Sequence, residues 1–136
     1  MKSLSRLLAI VLLAHPALSG VDALAQTYPA RPVRIVVPFP AGGAVDTVAR
    51  ALGPKLSEAW KQPVLVDNRP GAGGNIAADF VAKAAGDGYT LLITTQGFAI
   101  SPGLYKKLPY DAVRDFRQVT QLTSSFVVLV ASPKLA

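Results

Sequence analysis

The chain has 136 residues, no cysteine, a single histidine and a formal charge of +6 from 14 basic and eight acidic residues. Without cysteine it is not a disulfide-stapled scaffold. Its basic residues are scattered, only Lys106 and Lys107 being adjacent, and no aromatics interleave them. They form a solvated basic surface with a weak pull on anionic solutes, not a nucleic-acid-binding stripe.

The first 25 residues read as an export signal. Lys2 and Arg6 precede an apolar run from Leu7 to Ala14, and Ala23-Leu24-Ala25 has the small-x-small pattern of a signal peptidase site, placing cleavage after Ala25. Loss of two bases and one acid, Lys2, Arg6 and Asp22, takes the charge from +6 to +5. The apolar run falls short of the roughly 18 residues of a spanning helix, and no later stretch approaches that length. The expected product is exported, not membrane-spanning, and placed in a bacterial periplasm.

After a proline-bearing lead-in to Pro32, Val33 to Val37 is a mostly β-branched apolar run, as in a buried strand. Pro38, Pro40, Gly42 and Gly43 stop it, and Val45, Val48, Ala49 and Leu52 recur at helical spacing. The helix is predicted from about Val45 to Trp60, kinked or divided at Gly53-Pro54. Gln62-Pro63 resets the chain for a second strand, Val64 to Asp67, followed by the loop Asn68-Arg69-Pro70-Gly71-Ala72-Gly73-Gly74. A second helix is predicted from Asn75, as N-cap, to Ala85, with Ile76, Phe80 and Val81 on its apolar stripe. Gly86 is the expected C-cap, and Tyr89 to Thr94 a third strand. The order is βαβαβ, an α/β fold.

Thr95 to Ile100 is then a third loop, with Ser101-Pro102 read as N-cap and first residue of a short helix. Asp111 to Gln118 is a polar connection, and Phe126 to Val130 a further buried-type strand without a partner.

In a parallel sheet, right-handed crossovers bring the loops after the strands to one edge. There the unpaired first-turn N–H groups and positive dipole ends of the helices suit an anion. Gly42, Gly43, Gly71, Gly73 and Gly74 are candidates for close ligand approach; the alternative is that tight turns alone require them. Asp46 is either a first-turn acid complementing the helix dipole or a direct contact to an amino or hydroxyl group of the ligand. Arg69 is either a solvated loop residue or a carboxylate clamp. Phe39 and Phe98 are expected to wall the cleft, and Thr94, Thr95 and Ser101 to offer hydroxyls, with capping as the alternative for Ser101.

Nucleotide motifs are missing: there is no Gly-x-x-x-x-Gly-Lys-Ser/Thr, and Gly71-x-Gly73-x-x-Ile76 lacks the last glycine of the dinucleotide fingerprint. His15 lies in the signal, so a mature chain without cysteine and with scattered carboxylates offers neither a histidine-based triad nor a metal cluster. We therefore expect a binding protein with no cofactor, not an enzyme.

Tyr28-Pro29-x-Arg31-Pro32-Val33, Gly42-Gly43-x-x-Asp46, Gln62-Pro63, Asn68-Arg69-Pro70-Gly71-Ala72-Gly73-Gly74-Asn75, Asp87-Gly88-Tyr89-Thr90 and Leu104-Tyr105-Lys106-Lys107-Leu108-Pro109-Tyr110-Asp111 resemble the periplasmic receptors of tripartite tricarboxylate transporters, the Bug receptors. The resemblance implies a two-lobed, periplasmic-binding-protein-like molecule of which this chain is an N-terminal fragment. Residues 26–115 would be part of lobe one, and 116–136 the crossover and first strand of lobe two. It implies capture of a small carboxylated solute for membrane transporter subunits, the carboxylate being held by loop backbone from Pro38 to Asp46, including Ala41, and from Pro70 to Asn75, including Ala72. The competing class is a ligand-sensing protein that signals to a membrane sensor kinase.

Overall fold

The computed structural model describes residues 27–125 and 128–134. The export signal and its cleavage site lie outside them. Three strands, β1 (Val33–Val37), β2 (Val64–Asn68) and β3 (Thr90–Leu92), form one parallel sheet in the order β2-β1-β3. Val33 to Val37 pair in register with Val64 to Asn68, and Arg34 to Val36 with Thr90 to Leu92.

β1 is central because its side chains are apolar on both faces. Val33, Ile35, Val36 and Val37 are buried, and only Arg34 reaches solvent. Burying a side chain of this size contributes about 1.5–3 kcal/mol. Ile35, Val37 and Ala49 form the core, with Phe39, Val45, Leu56, Val64, Val66, Leu91 and Ile93 packed around them.

Helix α1 (Ala44–Trp60) turns Asp46, Ala49 and Gly53 inward, positions i, i+3 and i+7 of one helix face. Gly53 lets α1 sit close to β2: a Cβ there would stand 3.9 Å from Val64. α1 is continuous through Pro54, which of the two expectations, a kink or a division, excludes the division. Pro54 is on the exposed face, so the Arg50 carbonyl deprived of its N–H partner is solvated, and the packed face keeps the helix intact.

Helix α2 (Asn75–Ala82) is preceded by a single 3-10 turn, Ala72–Gly74, and helix α3 spans Gln96–Leu104. Three expectations change here. Asn75 is not an N-cap but the first residue of α2, and Gly74 caps it with φ 98°. α2 ends before Gly86, with Lys83 as its C-cap. α3 starts five residues before Ser101, with Thr95 as N-cap, and both Ser101 and Pro102 lie inside it.

Val128 to Val130 are exposed and form no strand, while Phe126 and Val127 lie outside the described residues. The expected lobe-two strand is therefore absent at Val128 to Val130: an apolar run becomes a strand only where a sheet supplies backbone partners. Among the described residues no helix is long and apolar enough to cross a membrane.

Candidate functional site

The parallel register brings the loops after β1, β2 and β3 to one sheet edge, with the first loop in the middle. In that loop Pro38 is buried and Gly42 takes φ +85°. This conformation costs a glycine nothing, and it turns the Gly42 N–H onto Asp46 Oδ2 at 2.8 Å. Gly43 is the N-cap of α1 in extended conformation, and its carbonyl accepts from the Thr47 N–H (2.9 Å) and hydroxyl (3.0 Å). The N–H groups of Ala44, Val45 and Asp46 precede Thr47, the first intrahelical donor, and have no partner within the helix.

Asp46 is 1% exposed, and its carboxylate is fully engaged. Oδ2 accepts from Gly42 N–H and from Arg50 Nε at 2.8 Å, and Oδ1 from Asn68 Nδ2 at 2.9 Å. These donors, the Arg50 bond foremost, hold its pKa at about 2 against an ordinary 3.8. Of the two sequence readings, direct ligand contact does not fit this burial; Asp46 ties the loop to α1 and β2.

The second loop is built from left-handed and glycine-only conformations: φ 129° at Gly71, 49° at Ala72, 65° at Gly73 and 98° at Gly74. The Gly74 N–H donates to Gly71 O (2.9 Å) and the Asn75 N–H to Ala72 O, leaving the first-turn N–H groups of Ile76 and Ala77 without helical partners. A Cβ on Gly74 would stand 3.2 Å from Pro38, and one on Gly73 2.9 Å from the Tyr105 hydroxyl. The second loop thus rests against the first.

The two positions expected to offer polar side chains next to these loops are each bonded within the protein instead. The Tyr110 hydroxyl donates to Asn75 Oδ1 at 2.6 Å, and Ser101 Oγ donates to Gly97 O at 2.8 Å inside α3. Burial pushes the Tyr110 phenol up, with the Ser101 hydroxyl acting the other way. Phe98 stacks on Tyr110 and meets Phe116 edge-on, at centroid distances of 5.8 and 4.9 Å. Asn75, Ser101 and Phe98 therefore brace the second loop from behind. Arg69 also turns away: Nε donates to Asp67 at 3.0 Å, and its guanidinium lies 3.6 Å from the Phe80 ring centroid. It is a stacked, paired residue, not a clamp.

A recess of about 390 Å³ lies between the first loop and the start of α3, lined by Phe39, Pro40, Ala41, Gly43, Ala44, Val45 and Thr95. Phe39, Ala41, Gly43 and Thr95 were expected there. Thr95 caps α3 by accepting from the Gly97 N–H (3.4 Å), and Thr94 is exposed beside it. Gly71 to Gly74 lie on the other side of the first loop, because β2 and β3 flank β1 on opposite sides. Asn68, Arg50, Tyr105 and Tyr110 hold the loops and were not singled out from sequence. The available signal was a polar residue at the last position of β2 and two tyrosines in a segment following the third loop.

A model of the tripartite tricarboxylate transporter family receptor matches residues 48–135. Protein BugT of Bordetella pertussis is 42% identical over 137 residues, covering 98% of this chain and 42% of that protein. The periplasmic binding protein BugD superposes with a TM-score of 0.63 at 45% identity, over 65% of this chain and 30% of that one. A protein of R. palustris solved with adipate gives 0.60 at 45% identity, over 62% and 29%. The chain spans about two fifths of the length of the curated relatives it matches. With matched segments running through the α1 to α3 framework described above, the chain belongs to the tripartite tricarboxylate transporter receptor family.

Proposed function

We propose that this chain is the first-lobe part of a periplasmic receptor that captures a small carboxylated metabolite and delivers it to the membrane subunits of a tripartite tricarboxylate transporter. Residues 1–25 are then an export signal cleaved after Ala25, residues 26–115 the lobe-one segment and residues 116–136 the passage toward a second lobe. The carrying observation is that α1 and α2 both start from glycine loops at one sheet edge, yet residues 38–45 and 70–78 contain no lysine or arginine. A carboxylate there is held by main-chain N–H groups, at about 1.5–3 kcal/mol per charge-assisted bond, and by the helix dipoles. Phe39, Ala41, Gly42, Gly43, Gly71, Ala72, Gly73, Gly74, Thr94 and Thr95 form the ligand-facing surface. Asp46, Asn75 and Ser101 support it from behind.

A thermal-shift screen of the full-length receptor against adipate, malate, citrate and their uncharged amides tests this reading. Stabilisation by at least one acid and by none of the amides is expected; equal response to acid and amide would refute it. Deletion of the gene should abolish uptake of that acid. Intact uptake with altered gene regulation would instead identify a sensor.

A further inference from the structure

We infer that Asn68 is a positioning residue: a strut that sets the spacing of the two glycine loops, and with it the aim of the α1 N–H groups, in the receptor proposed above. The inference rests on that reading for its functional half only.

Asn68 closes β2, and its backbone pairs with Val37, the residue from which the first loop departs. The next N–H, that of Arg69, donates to Val37 O at 2.8 Å, so the roots of both loops are joined here. The side chain then reaches across. Nδ2 donates to Phe39 O at 3.0 Å and to Asp46 Oδ1 at 2.9 Å, and Oδ1 accepts from Arg50 Nη2 at 3.0 Å. Phe39 and Asp46 bracket the first loop, so one amide grips both of its ends. Asp46 extends the grip to the loop's middle through the Gly42 N–H.

Two acceptors face one end of the amide and a guanidinium the other, which fixes its orientation. Only a primary amide of this length serves. Aspartate has no donor for Phe39 O or Asp46, and alanine reaches neither. Loops with φ > 0 glycines carry little rigidity of their own, so these side-chain ties decide where the loops stand. They also commit the Gly42 N–H to Asp46 and so withdraw it from the crevice.

The test compares Asn68→Asp with Asn68→Ala in the full-length receptor, reading amide hydrogen exchange over Phe39 to Val45 and calorimetric titration with adipate and with malate. If Asn68 only filled space, the isosteric aspartate would be the milder change. A strut predicts the reverse order: exchange fastest in Asn68→Asp, intermediate in Asn68→Ala and slowest in the parent, with the protection of β1 kept. Affinity for whichever acid the parent binds should fall about tenfold in Asn68→Asp and less in Asn68→Ala.

Alanine worse than aspartate, or either variant exchanging like the parent, overturns the strut. Loosened loops with unchanged affinity overturn its role in binding. Should Asn68→Asp fail to fold, Asn68→Ala against the parent decides the question alone. A parent that binds neither acid counts against the carboxylate reading, while the exchange order still decides the strut.

Discussion

Gly71 gives the sharpest test of how the second loop is held. At φ 129° and ψ 155° it occupies a region that essentially only glycine visits, and forcing a side chain there costs about 1–3 kcal/mol. A Cβ would also stand 2.6 Å from Ile76 Cδ1. Ile76 is 52% exposed, so its terminal methyl can swing into solvent and the backbone term dominates. Gly86 is the control: no atom lies within 4 Å of a Cβ built there, and its φ is outside the left-handed range. Gly86→Ala should therefore leave stability unchanged or raise it by about 0.4–1 kcal/mol through the unfolded chain. The two alanine variants should differ by about 1–4 kcal/mol. Equilibrium urea unfolding measures this from the midpoints, provided the slope is unchanged. A Gly71→Ala variant within about 0.5 kcal/mol of Gly86→Ala would refute the conformational argument.

Asp46 should make the fold acid-sensitive in a defined window. Its folded pKa, about 2, lies below the ordinary 3.8, so its contribution is present in full above about pH 4 and lost as pH falls through about 2. Urea midpoints followed from pH 5 to pH 2 should fall more steeply for the parent than for Asp46→Asn. Tyr110→Phe keeps the ring against Phe98 but leaves buried Asn75 Oδ1 without its donor. It should cost about 1–3 kcal/mol in the same unfolding assay, and no loss would show that water or a rearranged neighbour replaces the hydroxyl. Arg69→Ala should change carboxylate affinity by no more than about threefold by calorimetry, because the guanidinium is already committed to Asp67 and Phe80; loss of binding would restore the clamp.

Local pattern alone carried the αβ alternation. The mostly apolar, β-branched run Val33 to Val37 between prolines reads as a buried strand, and the glycine clusters before α1 and α2 mark loops, Gly42, Gly71, Gly73 and Gly74 all taking positive φ. The sheet edge on which the loops meet followed from the handedness of crossovers. Sequence motifs were also specific enough to point to the family.

What they did not contain was the direction of side chains over long separations. Ser101 has the composition of an N-cap, but Thr95 captures α3 six residues earlier, since a helix extends to the first residue whose backbone and side chain can close it. Asn75 looked like a cap until Tyr110, 35 residues on, took its side chain. Asp46 looked equally suited to ligand and to dipole. Its neighbour at Asn68, 22 positions away, decided for the loop. Asn75 and Asp46 both turn on a partner distant in the chain, which periodicity and spacing cannot register and which only the tertiary packing brings within 3 Å.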